Sequence, residues 1–266
     1  MDLRDKYDLA GADRTRFAAD GHILLRSVAT ADEIAAFGPA IRDAGFRYNN
    51  ESRNIEERDT YGKAFLQTTN LWMRDTTVKK FVFSRRFAQL AAELLGVEKV
   101  RLYHDQALFK EAGGGATPWH QDQYYWPLDT DRTITMWMPL VDIDETMGMI
   151  TFASGSHVKG PIGSQAISDE SQETYEAYIR DEKFEISKAA SMKAGDATFH
   201  LGWTIHGAGE NRSESRLREV MTIIYFADGA RIANPQNENQ IADLNAWLDG
   251  KEPGTLADGA LSPVLN

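Results

Sequence analysis

The sequence of 266 residues contains no cysteine, which excludes disulfide bonds and thiolate metal sites. A metal ion in this protein would therefore be held by histidine, aspartate or glutamate. The sequence also has no run of about 18 apolar residues that could span a membrane, and its first residues lack the apolar segment of a secretory signal. We therefore expect a cytoplasmic protein without a membrane segment.

Positive charge is also scarce. The 29 lysines and arginines are outnumbered by 40 aspartates and glutamates, which gives a net charge of −11. Nucleic acids and anionic membranes bind to basic surfaces, so neither is an expected partner. The hydrophobic content of 42% is ordinary for a globular protein.

Short β-rich segments separated by turn residues fill the middle of the chain. They cover residues 100–110, 133–141, 148–152, 196–200, 203–207 and 220–226. Strands at this spacing predict a sandwich or barrel rather than alternating strands and helices. Before them, Thr30 is the expected N-cap of a helix that runs toward Gly45, and Gly96 is the expected C-cap of a helix over 85–95.

These patterns predict a single domain over residues 1–266. We expect a mainly helical part over 1–98, a β core over 99–230, and a helix with a tail over 231–266. Residues 161–188 are rich in serine, glutamine and acidic residues, and they interrupt the β pattern. This segment is predicted to be a solvated excursion that could also act as a lid.

Two segments of the N-terminal part have a less regular pattern. Residues 46–63 are polar and without a clear period, which predicts a loop. Residues 64–73 mix apolar and amide side chains, so they form either a helix packed into the core or the wall of a pocket. The pocket interpretation is favoured for Gln67 and Asn70.

Candidate metal ligands occur in the sequence Trp119-His120-Gln121-Asp122. If this stretch is extended, side chains alternate, so that His120 and Asp122 point to one face and Gln121 to the other. A third ligand is available from His206, far downstream. Two histidines and one carboxylate form the facial triad of non-haem Fe(II) oxygenases, which leaves one side of the metal open.

Other histidines compete with His206 for the third position. The alternatives are His200, His104 and His157. His206 is preferred because the small residues Gly207 and Ala208 follow it and leave room for a cosubstrate.

Taken in order, these motifs resemble the phytanoyl-CoA dioxygenase family. The matching segments are His120-Gln121-Asp122, 147–157 (MGMITFASGSH), 195–200 (GDATFH) and 206–211 (HGAGEN). The family consists of Fe(II)/2-oxoglutarate-dependent oxygenases, among them ectoine hydroxylase, and the resemblance runs from about Leu102 to Phe226. It implies a mainly β fold with flanking helices around a double-stranded β-helix (jelly-roll, cupin-like) core. It also implies that Fe(II) is held by His120, Asp122 and His206.

The resemblance also implies a cosubstrate site. Arg218 matches the family arginine that binds the far carboxylate of 2-oxoglutarate. Arg216 is the alternative, because the spacing from the last histidine ligand is one residue longer than usual. Further cosubstrate-binding positions are Lys110, His104, Thr117 and Trp126. Ala208 replaces a frequent serine, which removes one possible hydrogen bond to the cosubstrate.

From the resemblance we expect an enzyme that uses 2-oxoglutarate and O2, releases succinate and CO2, and hydroxylates an unactivated C–H bond. The substrate is expected to be a small organic molecule or secondary metabolite, and the protein a monomer or homodimer. Halogenation is disfavoured because halogenating relatives carry a small residue in place of Asp122. Candidate substrate-binding residues are Gln67, Asn70, Trp72, Tyr124, Trp137 and Trp203, although core packing is equally expected for the aromatic ones.

Three alternatives remain open from the sequence. The same cofactors support ring closure, desaturation or epimerisation, which leave no mark in the sequence. A cupin-like barrel could also be a non-catalytic binding protein, or a Zn or Mn enzyme of another class. The last would have no need of Arg218.

Overall fold

The computed structural model describes residues 3–163 and 165–266. The helices within these ranges are α1 (Gly11–Asp20), α2 (Ala31–Arg47), α3 (Thr60–Ala64), α4 (Thr76–Val82), α5 (Arg85–Leu95), α6 (Asp169–Glu182) and α7 (Glu238–Trp247). The strands are β1 (His22–Leu25), β2 (Leu66–Thr69), β3 (Val100–Lys110), β4 (Thr117–His120), β5 (Thr133–Pro139), β6 (Ile143–Asp144), β7 (Ile150–Ala153), β8 (Ile186–Lys188), β9 (Ser191–Met192), β10 (Ala197–Leu201), β11 (His206–Ala208) and β12 (Arg218–Ala227). Short 3-10 helices cover Ile55–Glu57, Leu71–Met73, Asp122–Tyr125 and Ser156–Lys159.

Two antiparallel sheets form the β core. One has six strands in the order β1-β10-β5-β12-β3-β2, and the other has four in the order β4-β11-β7-β8. Strands β6 and β9 pair separately. From β3 to β5 and again from β10 to β12, consecutive strands of the chain alternate between the two large sheets, as in a jelly roll. The predicted fold, mainly β with flanking helices, is confirmed.

Strand β12 lies between β5 and β3 and is buried along its whole length. Side chains alternate along it, so its two faces serve different purposes. Met221, Ile223 and Tyr225 pack into the core shared with α2 and α5. Thr222 and Ile224 face a cavity. Helices α2 and α5 therefore cover one face of the large sheet and leave the other face to the candidate site.

The two predicted helix caps are confirmed. The Thr30 hydroxyl accepts a hydrogen bond from the Glu33 amide, and the Glu33 carboxylate accepts one from the Thr30 amide, so that both satisfy free N–H groups at the start of α2. Gly96 ends α5 in the left-handed conformation with φ of 65°. Helix α2 continues to Arg47, two residues beyond the predicted end at Gly45.

The structure corrects the prediction for residues 64–73. They do not form a helix, because β2 pairs with the edge of β3. The Asp105 carboxylate then accepts hydrogen bonds from the amides of Leu71 and Trp72 and starts a 3-10 helix. A pattern of apolar residues too short to contain several turns does not distinguish these two outcomes.

The segments predicted to be irregular contain helices. Residues 46–63 include the end of α2, a 3-10 helix and most of α3. The excursion over 161–188 contains α6, which packs through Tyr175 and Ile179, while most of the described residues of the excursion are partly or fully exposed. Ser164, within that excursion, lies outside the described residues. None of the helices in the described ranges is long and apolar enough to cross a membrane.

Candidate metal and cosubstrate site

The two neighbouring candidate ligands, His120 and Asp122, come from a strand end and a helix start. Strand β4 ends at His120, and Asp122 begins a 3-10 helix, so the predicted strand is two residues too long. Gln121 between them is still extended, with φ of −123° and ψ of 123°. Its side-chain nitrogen Nε2 donates hydrogen bonds to the backbone carbonyls of Trp203 at 2.6 Å and Gly160 at 2.9 Å. The three side chains therefore alternate as the extended backbone predicts.

His206 opens β11 and lies opposite His120 in the antiparallel pair β11–β4. The imidazole Nε2 atoms of His120 and His206 lie 3.5 and 3.6 Å from Oδ1 of Asp122. Ligand atoms of these three residues all lie within 4.8 Å of one another. One metal ion can contact all three, so the structure brings the predicted triad together.

The hydrogen bonds of the two imidazoles determine which nitrogen faces the site. Nδ1 of His120 is 2.8 Å from the Pro118 carbonyl, and Nδ1 of His206 is 3.0 Å from the Thr204 carbonyl. A carbonyl can only accept, so each Nδ1 carries a hydrogen and each Nε2 presents a lone pair. Burial lowers the pKa of His206 well below its usual value, which keeps this imidazole neutral.

Asp122 is oriented by two partners outside the triad. Its Oδ2 accepts a hydrogen bond from the Thr135 hydroxyl at 2.8 Å and lies 3.2 Å from His200 Nε2. Both of these contacts are made by Oδ2, so Oδ1 is the oxygen left for a metal. Sequence patterns gave no indication of Thr135.

None of the three alternative histidines belongs to the ligand group found among the described residues. His200 is adjacent, with its ring 4.2 Å from that of His206, but it contacts the Oδ2 side of Asp122. His157 contacts the Ala18 carbonyl. His104 lines the cavity but is not part of the ligand group found among the described residues.

A cavity of about 480 Å³ opens on the triad. Predicted cosubstrate residues in its wall are Arg218, His104, Thr117 and Trp126. Predicted substrate residues in its wall are Gln67 and Trp137. Gly207 and Ala208 line it too, as expected. Gly207 has a second reason to be glycine, because an added Cβ would lie 2.9 Å from the Thr117 carbonyl across the strand pair.

Arg218 is the first residue of β12 and is 1% exposed. Its Nη1 donates to the Gly148 carbonyl at 2.6 Å, and its Cζ lies 5.4 Å from the centre of the Trp137 ring. Its Nε has no hydrogen-bond partner, and no carboxylate of the described residues pairs with it. Burial lowers the pKa of Arg218 to about 9. A buried guanidinium without a counter-ion is unfavourable, so this position fits an anionic ligand.

Arg216, the alternative anchor, is at the surface. Its side chain is 49% exposed, forms a salt bridge with Asp144 at 2.8 Å and donates to the Asp142 carbonyl at 2.6 Å. It does not line the cavity. The geometry therefore favours Arg218.

Lys110 pairs with Arg218 in the β3–β12 register but is not in the cavity wall. Its ammonium donates to the Gly115 carbonyl and lies 3.5 Å from the Thr117 hydroxyl. Burial, followed by the charge of Arg218, lowers the pKa of Lys110 to about 6. Lys110 thus contacts Thr117, a residue of the cavity wall, without lining the wall itself, and its contact with a cosubstrate stays a prediction.

Four predicted substrate residues lie outside the cavity wall, namely Asn70, Trp72, Tyr124 and Trp203. Asn70 has a positive φ of 53° and accepts a hydrogen bond from the Trp72 indole, which packs against Phe83. The backbone carbonyl of Trp203 accepts from the Gln121 side chain, and that of Tyr124 accepts from the Gln240 side chain of α7. Their assignment to the substrate stays a prediction.

Several cavity residues were missed from the sequence. They include Tyr61, Tyr125 and three residues of α7, namely Asn239, Asp243 and Trp247. The α7 residues are four apart, which places them on one helix face. The four-residue spacing is visible in the sequence, but no sequence motif connects a helix near the C-terminus with the triad.

Sequence comparisons with known proteins agree with the resemblance that the motifs indicate. A family model described as phytanoyl-CoA dioxygenase (PhyH) matches residues 17–220. A probable alpha-ketoglutarate-dependent hypophosphite dioxygenase of Stutzerimonas stutzeri is 26% identical over 219 residues, which cover 78% of this chain and 76% of that protein.

Two solved structures share the fold. The non-haem alpha-ketoglutarate-dependent carbocyclase SnoK from nogalamycin biosynthesis superposes with a TM-score of 0.80 and 21% identity, covering 97% of both chains. The epimerase SnoN, in complex with Fe3+, alpha-ketoglutarate and nogalamycin RO, gives a TM-score of 0.78 and 23% identity, covering 96% of this chain and 98% of that one. The predicted cupin-like core is thus confirmed.

The family match extends over most of the chain and includes the triad. The cofactors Fe(II), 2-oxoglutarate and O2 agree with the ligand set at the triad and with the buried Arg218, whose Nε has no hydrogen-bond partner. The chain belongs to the phytanoyl-CoA dioxygenase family and is a non-haem Fe(II)- and 2-oxoglutarate-dependent dioxygenase.

Proposed function

We propose that this enzyme hydroxylates an unactivated C–H bond of a small organic molecule. In this proposal His120, Asp122 and His206 hold Fe(II), and Arg218 binds the far carboxylate of 2-oxoglutarate. The observation that carries it is that the triad and a buried arginine without a counter-ion line the same cavity. A Zn or Mn enzyme of another class would have no use for that arginine.

The bound iron and cosubstrate supply the oxidising chemistry, in which 2-oxoglutarate and O2 are converted to succinate and CO2 as the substrate is oxidised. The chain supplies orientation. Two neutral imidazoles and one carboxylate bind from one side, leaving the other side to cosubstrate and O2. Thr135 and His200 keep Oδ1 of Asp122 directed at the metal.

Arg218 fixes the cosubstrate at its other end. A guanidinium can bind a carboxylate through two parallel hydrogen bonds, which determines its direction as well as its affinity. Trp137 covers one face of the guanidinium, and Leu108 and Ile150 line the adjoining wall. These apolar surfaces exclude water, which strengthens the ion pair.

A screen for substrate-stimulated succinate formation, followed by mass analysis of the product, tests this proposal. Hydroxylation adds one oxygen atom to the substrate. Loss of two hydrogens would instead indicate ring closure or desaturation, and an unchanged mass would indicate epimerisation; either result overturns hydroxylation. The His206→Ala variant, which removes one histidine of the triad, serves as the control and is expected to form no succinate.

The proposal includes two further expectations from the sequence. We infer that the chain acts as one domain, since helices from both of its ends pack on the β core. We also infer a cytoplasmic location, because Fe(II) is maintained in a reducing compartment. Limited proteolysis and cell fractionation test these inferences.

A further inference from the structure

Helix α7 packs on the β core through Leu244 and Trp247, and one of its faces also reaches the cavity. None of its residues is fully buried, yet Asn239, Asp243 and Trp247 all line the cavity that contains the triad. They are four residues apart and therefore share one face. This face combines an amide, a carboxylate and an indole, which are groups that bind ligands rather than fill a core.

Asp243 is held in a fixed position. Its Oδ2 accepts a hydrogen bond from the Tyr103 hydroxyl at 2.8 Å. Tyr103 is placed by a bulge, because the β3–β12 register shifts between Ile224 and Tyr225. Bulges of this kind redirect side chains beside active sites. This one donor leaves lone pairs of the carboxylate free to accept from a ligand.

His104 adds an unpartnered polar group beside this carboxylate. It is buried, it lines the cavity, and its Nδ1 has no hydrogen-bond partner. Its ring lies 5.6 Å from that of Trp247 in an edge-on arrangement. Burial lowers the pKa of His104 to about 4, so the imidazole is neutral near pH 7. A buried polar atom without a partner is unfavourable until a ligand satisfies it.

Arg218 lies at the other end of the same strands. His104 pairs with Ile224, six residues along β12 from Arg218, which is about 20 Å at about 3.3 Å per residue. Among the described residues of the cavity wall, Arg218 is the only lysine or arginine. Once a cosubstrate carboxylate binds there, no cation in that wall remains for a second anion. The carboxylates of Asp122 and Asp243 repel one as well.

We propose that the α7 end of the cavity binds the substrate through an amine or hydroxyl group that donates to Asp243. The apolar or aromatic body of the substrate then packs against Trp247 and Tyr125, and the substrate as a whole is uncharged or cationic. Aromatic rings beside a carboxylate favour cations through both the ring quadrupole and the charge. This inference rests on the proposed function, because it assigns Arg218 to the cosubstrate.

A binding experiment with three probes of similar size tests the proposal. The probes are 2-phenylethylamine (cationic), 2-phenylethanol (neutral donor) and 3-phenylpropionate (anionic). They are titrated calorimetrically into protein loaded with Zn(II), which has no redox chemistry, and saturated with 2-oxoglutarate, so that binding is measured without turnover. We expect the amine and the alcohol to bind at least about tenfold more tightly than the carboxylate.

The Asp243→Asn variant separates charge from shape. We expect it to weaken amine binding by about tenfold or more and to change alcohol binding by less than about threefold, since an amide oxygen still accepts a hydrogen bond. Asp258→Asn, which alters an exposed ion pair with Lys251, is the matched control and should change neither. Tyr103→Phe should weaken amine binding less than Asp243→Asn does, because it leaves the charge in place.

The proposal is overturned if 3-phenylpropionate binds as tightly as the amine, if Asp243→Asn leaves amine affinity unchanged, or if the amine does not bind up to its solubility limit. Titration of 2-oxoglutarate into the same metal-loaded protein is measured separately. Normal 2-oxoglutarate binding with any of these three results refutes the substrate class alone. Absent 2-oxoglutarate binding refutes the proposed function itself.

Discussion

Replacing Arg218 tests the cosubstrate site most sharply. In Arg218→Met the apolar stem keeps much of the buried volume, while the charge and the fork of donors are lost. Truncating one partner of a buried, hydrogen-bonded charge pair costs about 3 kcal/mol or more, which corresponds to about a hundredfold loss of affinity. We therefore expect the dissociation constant of 2-oxoglutarate to rise about a hundredfold in this variant.

The stability of the ligand-free protein, unlike its affinity for 2-oxoglutarate, should not decrease in Arg218→Met. Arg218 is buried without a counter-ion, and burial lowers its pKa to about 9, so the charged form is disfavoured in the folded state. Removing that charge is expected to leave the melting temperature unchanged or to raise it. A merely structural arginine would instead show a lower melting temperature and an unchanged 2-oxoglutarate affinity.

Calorimetric titration of 2-oxoglutarate into Zn(II)-loaded protein measures the affinity directly, and thermal unfolding checks it. At a ligand concentration of about 100 times the wild-type dissociation constant, binding stabilises the wild type by about 2.7 kcal/mol. The same concentration would stabilise a variant weakened a hundredfold by only about 0.4 kcal/mol. Arg216→Ala, which removes a surface ion pair with Asp144, is the matched control. If Arg216→Ala lost affinity and Arg218→Met kept it, the assignment would be wrong.

Three further predictions concern the surroundings of the site. Thr135→Val removes a hydrogen bond to the ligand carboxylate and should weaken metal binding by about 10- to 100-fold in a chelator competition, while Thr222→Val, elsewhere in the cavity wall, should not. Burial lowers the pKa of Lys110 to about 6, and an anion bound to the neighbouring Arg218 should raise this pKa, so that 2-oxoglutarate binding near pH 7 takes up a proton. Calorimetry in buffers of different ionisation enthalpy measures this proton uptake. The uptake should be absent in Lys110→Met. Gly207→Ala brings a Cβ to 2.9 Å from a facing carbonyl and should lower the free energy of unfolding by about 1–3 kcal/mol in denaturant titration, whereas Gly209→Ala, whose nearest neighbour is at 3.8 Å, should have little effect.

The sequence was most informative where local patterns are strong. Capping at Thr30, the glycine at Gly96 and the apolar strand at 100–110 were predicted correctly, because each depends on residues close together in the chain. The triad was also predictable as a set, since His120 and Asp122 are separated by one residue and the family motifs place His206. The strand predicted at His120 extends two residues beyond the end of β4, because the 3-10 helix that begins at Asp122 has no periodic sequence signal.

What the sequence could not provide was contact between distant segments. Thr135 lies opposite His200 because β5 pairs with β10 in the large sheet, and both side chains contact Oδ2 of Asp122. Asp243 enters the cavity only because α7 folds back toward Tyr103, 140 positions earlier. Among the aromatic candidates, Trp137 lines the cavity and Trp72 does not, since period and hydrophobicity are the same for a residue that faces a core and for one that faces a ligand.

The most direct test of the central claim does not require the substrate to be known. The Fe(II)-loaded enzyme is supplied with 2-oxoglutarate under isotopically labelled O2, and the succinate formed is analysed by mass spectrometry. We predict that the wild type forms succinate with one labelled oxygen atom and that His206→Ala forms none. Unlabelled succinate, no iron-dependent succinate, or turnover that survives in His206→Ala would contradict the assignment of this triad as the iron site.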